Sequence, residues 1–105
     1  MVDTGLMLLD LPSLARTVRA TDSDYPGPLH DLSDAPELFR VAGELPDVSR
    51  AIAVVGTRRA DDEALDFAYE LGRHLALNGW AVVSGGAVGI DRAAHEGAID
   101  GGGQT

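Results

Sequence analysis

Two short segments of this chain hold the residue types most suited to chemistry. Gly56-Thr57-Arg58-Arg59 sets a small residue, a hydroxyl and two guanidinium groups in a row. A guanidinium donates to a phosphate through a planar fork, and a glycine lets a backbone amide approach the same oxygens. Ser84-Gly85-Gly86-Ala87-Val88-Gly89-Ile90-Asp91 is a glycine loop running into a helical pattern. There the unbonded N–H groups of a helix start and its dipole favour an anion by about 0.3–1 kcal/mol. Each segment also has a plainer reading: a strand-to-helix turn with solvent-exposed arginines for the first, tight turns and packing for the second. Two such loops in one short chain favour a phosphate ligand.

Other chemistries find less support. The chain has no Cys, which removes disulfides, thiolate catalysis and Cys-based metal sites. It also has no Lys, and its first strand is not followed by Gly-x-Gly-x-x-Gly, so neither the Walker lysine nor the dinucleotide fingerprint is present and no NAD or ATP cofactor is expected. His95 and Glu96 are adjacent in a helical pattern and face different ways. A structural role for His95 is expected, and His30 and His74 belong to no metal-ligand spacing. Asp91 is read as a helix N-cap and Trp80 as a packing residue at a strand end, not as a DNA contact. No catalytic residue and no metal ligand is assigned.

The loops must be positioned by the elements around them. Ala51-Ile52-Ala53-Val54-Val55 and Trp80-Ala81-Val82-Val83-Ser84 are apolar runs of strand length, expected as buried parallel strands. Between them, Asp61 or Asp62 caps a helix with apolar groups at Ala64, Leu65, Ala68, Leu71, Leu75 and Ala76, which Asn78-Gly79 stops. A second helix begins at Ile90 or Asp91 and runs to Ile99. The order strand, helix, strand, helix implies a right-handed crossover and a parallel sheet, with ligands outside the carboxyl ends of the strands. Both loops fall at that edge. Earlier in the chain, Ser13 is read as capping a short helix through Leu14, Ala15 and Val18. Thr21 to Pro28 reads as a loop, and Leu38 to Ala42 as a short strand closed by Gly43.

At 105 residues the chain has room for one domain at most, and a fragment of a larger fold is equally compatible. Composition changes near residue 50, which divides a lead-in of helix, loop and short strand (1–50) from a Gly- and Ala-rich α/β segment (51–105). The mean hydropathy lies near zero and the opening residues carry no basic n-region, so a cytoplasmic chain without membrane contact is expected. A net charge of -9 argues against a generally basic nucleic-acid surface, and any binding to phosphates must be local.

The run from Ala51 to Ala60 resembles the "vAiVGsR.at" opening of the DprA/Smf DNA-processing proteins, with Thr57 where Ser is usual. Ser84 to His95 is similar to that family's "SGgA.GIDaaAH" segment, and the pair at this separation is far more specific than either loop. Gly97 to Ile99, Gly102 to Thr105, Tyr25-Pro26 and Leu38-Phe39 extend the likeness over about three-quarters of the chain. The resemblance implies a partial Rossmann-like three-layer α/β fold, truncated at its C-terminus before a further strand and later basic DNA contacts. It implies single-stranded DNA binding in DNA processing and natural transformation, assistance to RecA loading, no enzymatic activity, and a homodimer only in the intact protein. Residue by residue, it assigns phosphate contact to Gly56, Thr57 and Arg58. It places the second loop at Ser84 to Asp91, where Ser84, Gly85, Gly86 and Gly89 stand out, with Arg59 and Arg92 as weaker contacts. Two other readings stay open: a LOG-like nucleotide-binding or phosphoribohydrolase protein, and an inactive fragment.

Overall fold

The computed structural model describes residues 14–105, which fall into two compact units, one ending at Leu45 and the other running Pro46–Thr105. Among the described residues no helix is long and apolar enough to cross a membrane.

In the first unit β1 (Arg16–Arg19) pairs antiparallel with β2 (Leu38–Val41), placing Val18 opposite Phe39 and Arg16 opposite Val41. The strand expected at Leu38 is present. The helix expected through Leu14, Ala15 and Val18 is present only at Leu14 and does not continue through Val18, which lies in β1; its cap, Ser13, lies outside the described residues. Thr17 and Val18 are β-branched and lose side-chain freedom in a helix, whereas a pleated strand accommodates them. With a partner strand available, Val18 turns inward to 0% exposure while its neighbours face out. The loop expected over Thr21 to Pro28 is irregular up to Pro26 and then enters a 3-10 turn at Gly27–Asp31. Buried Tyr25 anchors it: the phenol donates to the Pro36 carbonyl at 2.8 Å, and the ring tilts against Phe39 with centroids 5.7 Å apart.

The second unit holds the loops of interest. Asp47 accepts the Ser49 amide at 3.0 Å and opens a 3-10 turn (Val48–Arg50) that leads into β3 (Ala51–Ala53). Asp61 caps α1 (Asp62–Leu77) by accepting the Ala64 amide at 2.8 Å. After Asn78 and Gly79 the chain enters β4 (Ala81–Val83), parallel to β3 with Ala51, Ile52 and Ala53 opposite Ala81, Val82 and Val83. Finally α2 covers Ile90–Asp100. This is the expected order and the expected parallel pairing of a Rossmann-like α/β fold. On its other side, β4 uses the Val82 amide to reach the Gln104 carbonyl at 3.0 Å.

Both strands are shorter than the apolar runs that announce them. The ladder ends with the Val54 amide donating to Val83 at 2.9 Å, and the Ser84 hydroxyl then donates to the Val54 carbonyl at 2.5 Å. A side chain thus closes the sheet at the point where the loops diverge. Val54, Val82, Ala76, Ala94 and Ala98 form the core, with Leu71, Leu75 and Ile90 packed against it. Residues from both helices meet one face of the strand pair. On the opposite face Ala81 is buried, while Val83 and Val55, at the carboxyl ends, are 47% and 72% exposed, so among the described residues that face is open at its carboxyl edge. The sheet and one helical layer are two of the three layers expected.

α1 and α2 approach each other through glycine. A Cβ on Gly72 would lie 2.2 Å from the Ala94 carbonyl oxygen, and one on Gly97 would lie 1.9 Å from that of Tyr69. No side chain fits at either position, so the two backbones meet directly and fix where α2 begins relative to β3.

Candidate nucleic-acid interface

The carboxyl edge of β3 and β4 brings the two sequence-derived loops together. The Ile90 amide donates to the Thr57 carbonyl at 3.2 Å, which ties the start of α2 to the first loop. Gly89 is the N-cap of α2 and has φ of 89°. A Cβ there would sit 2.4 Å from the Thr57 carbonyl oxygen and 2.9 Å from the Arg58 Cα. Only a glycine takes this backbone conformation at this distance without strain.

Asp91 is the second residue of α2 and not its cap, which corrects the N-cap expectation. Its side chain turns back instead: Oδ1 accepts the Gly56 amide at 3.3 Å, in a residue only 8% exposed. Thr57 Oγ1 accepts the Arg59 amide at 3.0 Å and keeps its own hydrogen for a ligand. Arg58, Gly85, Gly86, Ala87, Val88 and Asp91 line one open cleft of about 610 Å³. The amides of Gly85, Gly86, Ala87 and Val88 have no backbone acceptor among the described residues. Arg58 and Arg59 are exposed and form no ion pair among the described residues, and Arg58 is the one that lines the cleft.

The remaining expected residues divide between positioning the loops and standing elsewhere. The Ser84 hydroxyl is spent on the Val54 carbonyl, so it sets the exit of the second loop. Arg92 holds Glu96 at 2.9 Å and lines a neighbouring groove with Leu65, Asp66 and Tyr69. Trp80 lies at the opposite end of β4, under the Arg50 guanidinium at 5.0 Å from the ring centroid.

His95 makes contacts that the sequence does not reveal. Nε2 faces the Gly85 carbonyl at 2.9 Å and Nδ1 faces Thr105 Oγ1 at 2.5 Å. Because the carbonyl only accepts, Nε2 carries the hydrogen there. Asp91 and His95, four apart on α2, share one side of the helix, from which Asp91 bonds to the first loop and His95 to the second. No cluster of His, Asp and Glu fit to hold a metal occurs among the described residues. The arrangement brings a guanidinium and a glycine loop whose amides lack backbone acceptors to one cleft, a combination chemically suited to an anion.

Comparison with known proteins converges on one group. Residues 16–105 match the family described as DNA recombination-mediator protein A. The protein Smf of Borreliella burgdorferi is 39% identical over 77 residues, covering 72% of this chain and 24% of that protein. The putative DNA processing protein DprA of Mycobacterium tuberculosis is 54% identical over 56 residues, covering 53% of this chain and 14% of that protein. Among solved structures, the DNA processing protein A of Helicobacter pylori, described for its single-stranded DNA binding mode, matches with a TM-score of 0.71 and 32% identity. That match covers 81% of this chain and 39% of the other. The chain therefore spans well under half the length of each of these relatives.

Proposed function

We propose, starting from a chain that belongs to the DNA recombination-mediator protein A family, that the carboxyl-edge cleft binds the phosphate backbone of single-stranded DNA. Arg58 supplies the charge, the Thr57 hydroxyl and the amides of Gly85 and Gly86 supply neutral donors, and Gly56, Ser84 and Gly89 fix the loops that present them. Arg59, beside the cleft, adds a second positive charge. The observation that carries this reading is the joining of the two loops at Gly89 and Thr57, with an unpaired guanidinium lining the same cleft as residues whose amides lack backbone acceptors.

The role is binding, not catalysis. Each group named either favours an anion or fixes a loop, and both ring nitrogens of His95, the acid–base side chain beside the loop, are engaged. In an intact family member the same cleft would serve DNA processing during natural transformation, with RecA recombinase loaded on the bound strand and a second copy completing a homodimer. The single-stranded DNA of the Helicobacter pylori relative supports the choice of ligand.

Amide shifts of this chain on titration with an unstructured oligothymidylate test the placement. Thr57, Arg58 and Gly85 to Val88 should move first, and Arg50 and Trp80, at the other end of the strands, should stay still. Shifts confined to the Arg50–Trp80 end would place the ligand elsewhere.

A further inference from the structure

Asp91 is the one buried carboxylate among the described residues. It lines the same cleft as Arg58 and enters none of the ion pairs found among those residues. Oδ1 is occupied by the Gly56 amide, while Oδ2 lies under the second loop, where a Cβ on Gly85 would come within 2.7 Å of it. A cleft otherwise equipped for anions thus has a fixed carboxylate in its floor. Holding Gly56 does not require that charge, since a neutral amide oxygen accepts the same hydrogen bond.

We propose that Asp91 sets the charge of the phosphate this cleft accepts, favouring the singly charged internal phosphodiester over the phosphomonoester of a free nucleotide or strand end. The inference rests on the reading of the cleft as a phosphate site and adds the ligand's charge state to it. Repulsion from Asp91 scales with the charge on the ligand, and a phosphomonoester carries about -1.5 to -2 at pH 7 against -1 for a diester. Arg58 is solvated, so its attraction is screened by water and salt, whereas a charge buried beneath the loop is screened less. The dianion therefore meets more added repulsion than added attraction.

The probes are dimethyl phosphate, a monoanionic diester, and methyl phosphate, a monoester, each titrated into the full chain at pH 7.5 and followed by the amide shifts of Gly85 and Gly86. The parent should bind dimethyl phosphate at least as well as methyl phosphate. Asp91→Asn, which keeps an oxygen acceptor for Gly56, should strengthen both and shift the ratio about threefold or more toward methyl phosphate. This follows because the logarithm of the gain scales with ligand charge. Unchanged amide positions in α1 and β4 establish that the variant is folded, and the parent's own ratio is a reading independent of the variant. A parent that prefers methyl phosphate, or an Asp91→Asn ratio equal to the parent's, overturns the role of Asp91 and leaves the phosphate site standing. If neither probe moves Gly85 or Gly86 in the parent, the phosphate site itself fails, and the inference with it.

Discussion

In the proposed site Arg58 would contribute charge, and Gly89 the backbone geometry that joins the two loops. The glycines and arginines of the two loops are legible in the sequence because anion binding needs those residue types, although turns and exposed arginines account for either loop taken alone. What Asp91 does is not legible, because an Asp near a helix start reads first as a cap, and only the folded chain shows Gly89 in that position. Likewise His95 gives no sign of reaching Gly85, since the acceptor is a backbone carbonyl that any residue would offer. Gly89 carries a prediction of its own. Gly89→Ala puts a Cβ 2.4 Å from the Thr57 carbonyl oxygen and forces a positive φ on alanine. It should lower stability by about 1–3 kcal/mol and move the amides of both loops together. Chemical denaturation and amide spectra check this, and a variant as stable as the parent with loops unmoved would show that the Gly89–Thr57 contact does not hold them.

At the scale of elements, α1 and α2 carry the strongest 3.6-residue patterns, and both are found within a residue of where the sequence puts them. The strands are less legible. An apolar run marks burial, not hydrogen bonding, so 51–55 and 80–84 overstate strands whose ladder is cut short by the Ser84 hydroxyl. β1 is misread as a helix because its partner lies about twenty residues along the chain, and the local spacing of Leu14, Ala15 and Val18 says nothing of it. Gly72 and Gly97 are invisible as a pair, since a helical glycine looks like a local weakness until two helices are seen to meet there. In an isolated helix a Gly-to-Ala change would gain about 0.5–1 kcal/mol. Here Gly97→Ala must push Tyr69 and its turn away, so a net loss of about 1–3 kcal/mol is expected. A lowered denaturation midpoint at unchanged slope is the result to look for, and a raised midpoint would mean the helices part without cost.

Across the whole molecule the charge balance opposes the proposed ligand. A net charge of -9 repels DNA at long range, so binding must come from a few groups at close quarters and should show a shallow dependence on salt. The outer face of β3 and β4, open at its carboxyl edge with Val55 and Val83 exposed, is the part of the three-layer arrangement that no element among the described residues covers, and no motif in the chain marks it. The two loops, by contrast, are the feature on which sequence pattern, sheet topology and family membership agree. Their claim to the phosphate backbone is tested most directly by a salt titration of oligothymidylate binding, with the parent set beside Arg58→Ala and Arg58→Lys. Arg58 is exposed, so its contact is worth less than a desolvated one, and Arg58→Ala should weaken binding by about three- to tenfold for any base sequence. It should also flatten the slope of log affinity against log salt by about one unit or less. Arg58→Lys should recover part of the affinity, because an ammonium keeps the charge and loses the fork. If the parent binds and Arg58→Ala leaves both affinity and slope unchanged, Arg58 does not touch phosphate and the cleft is not the DNA site.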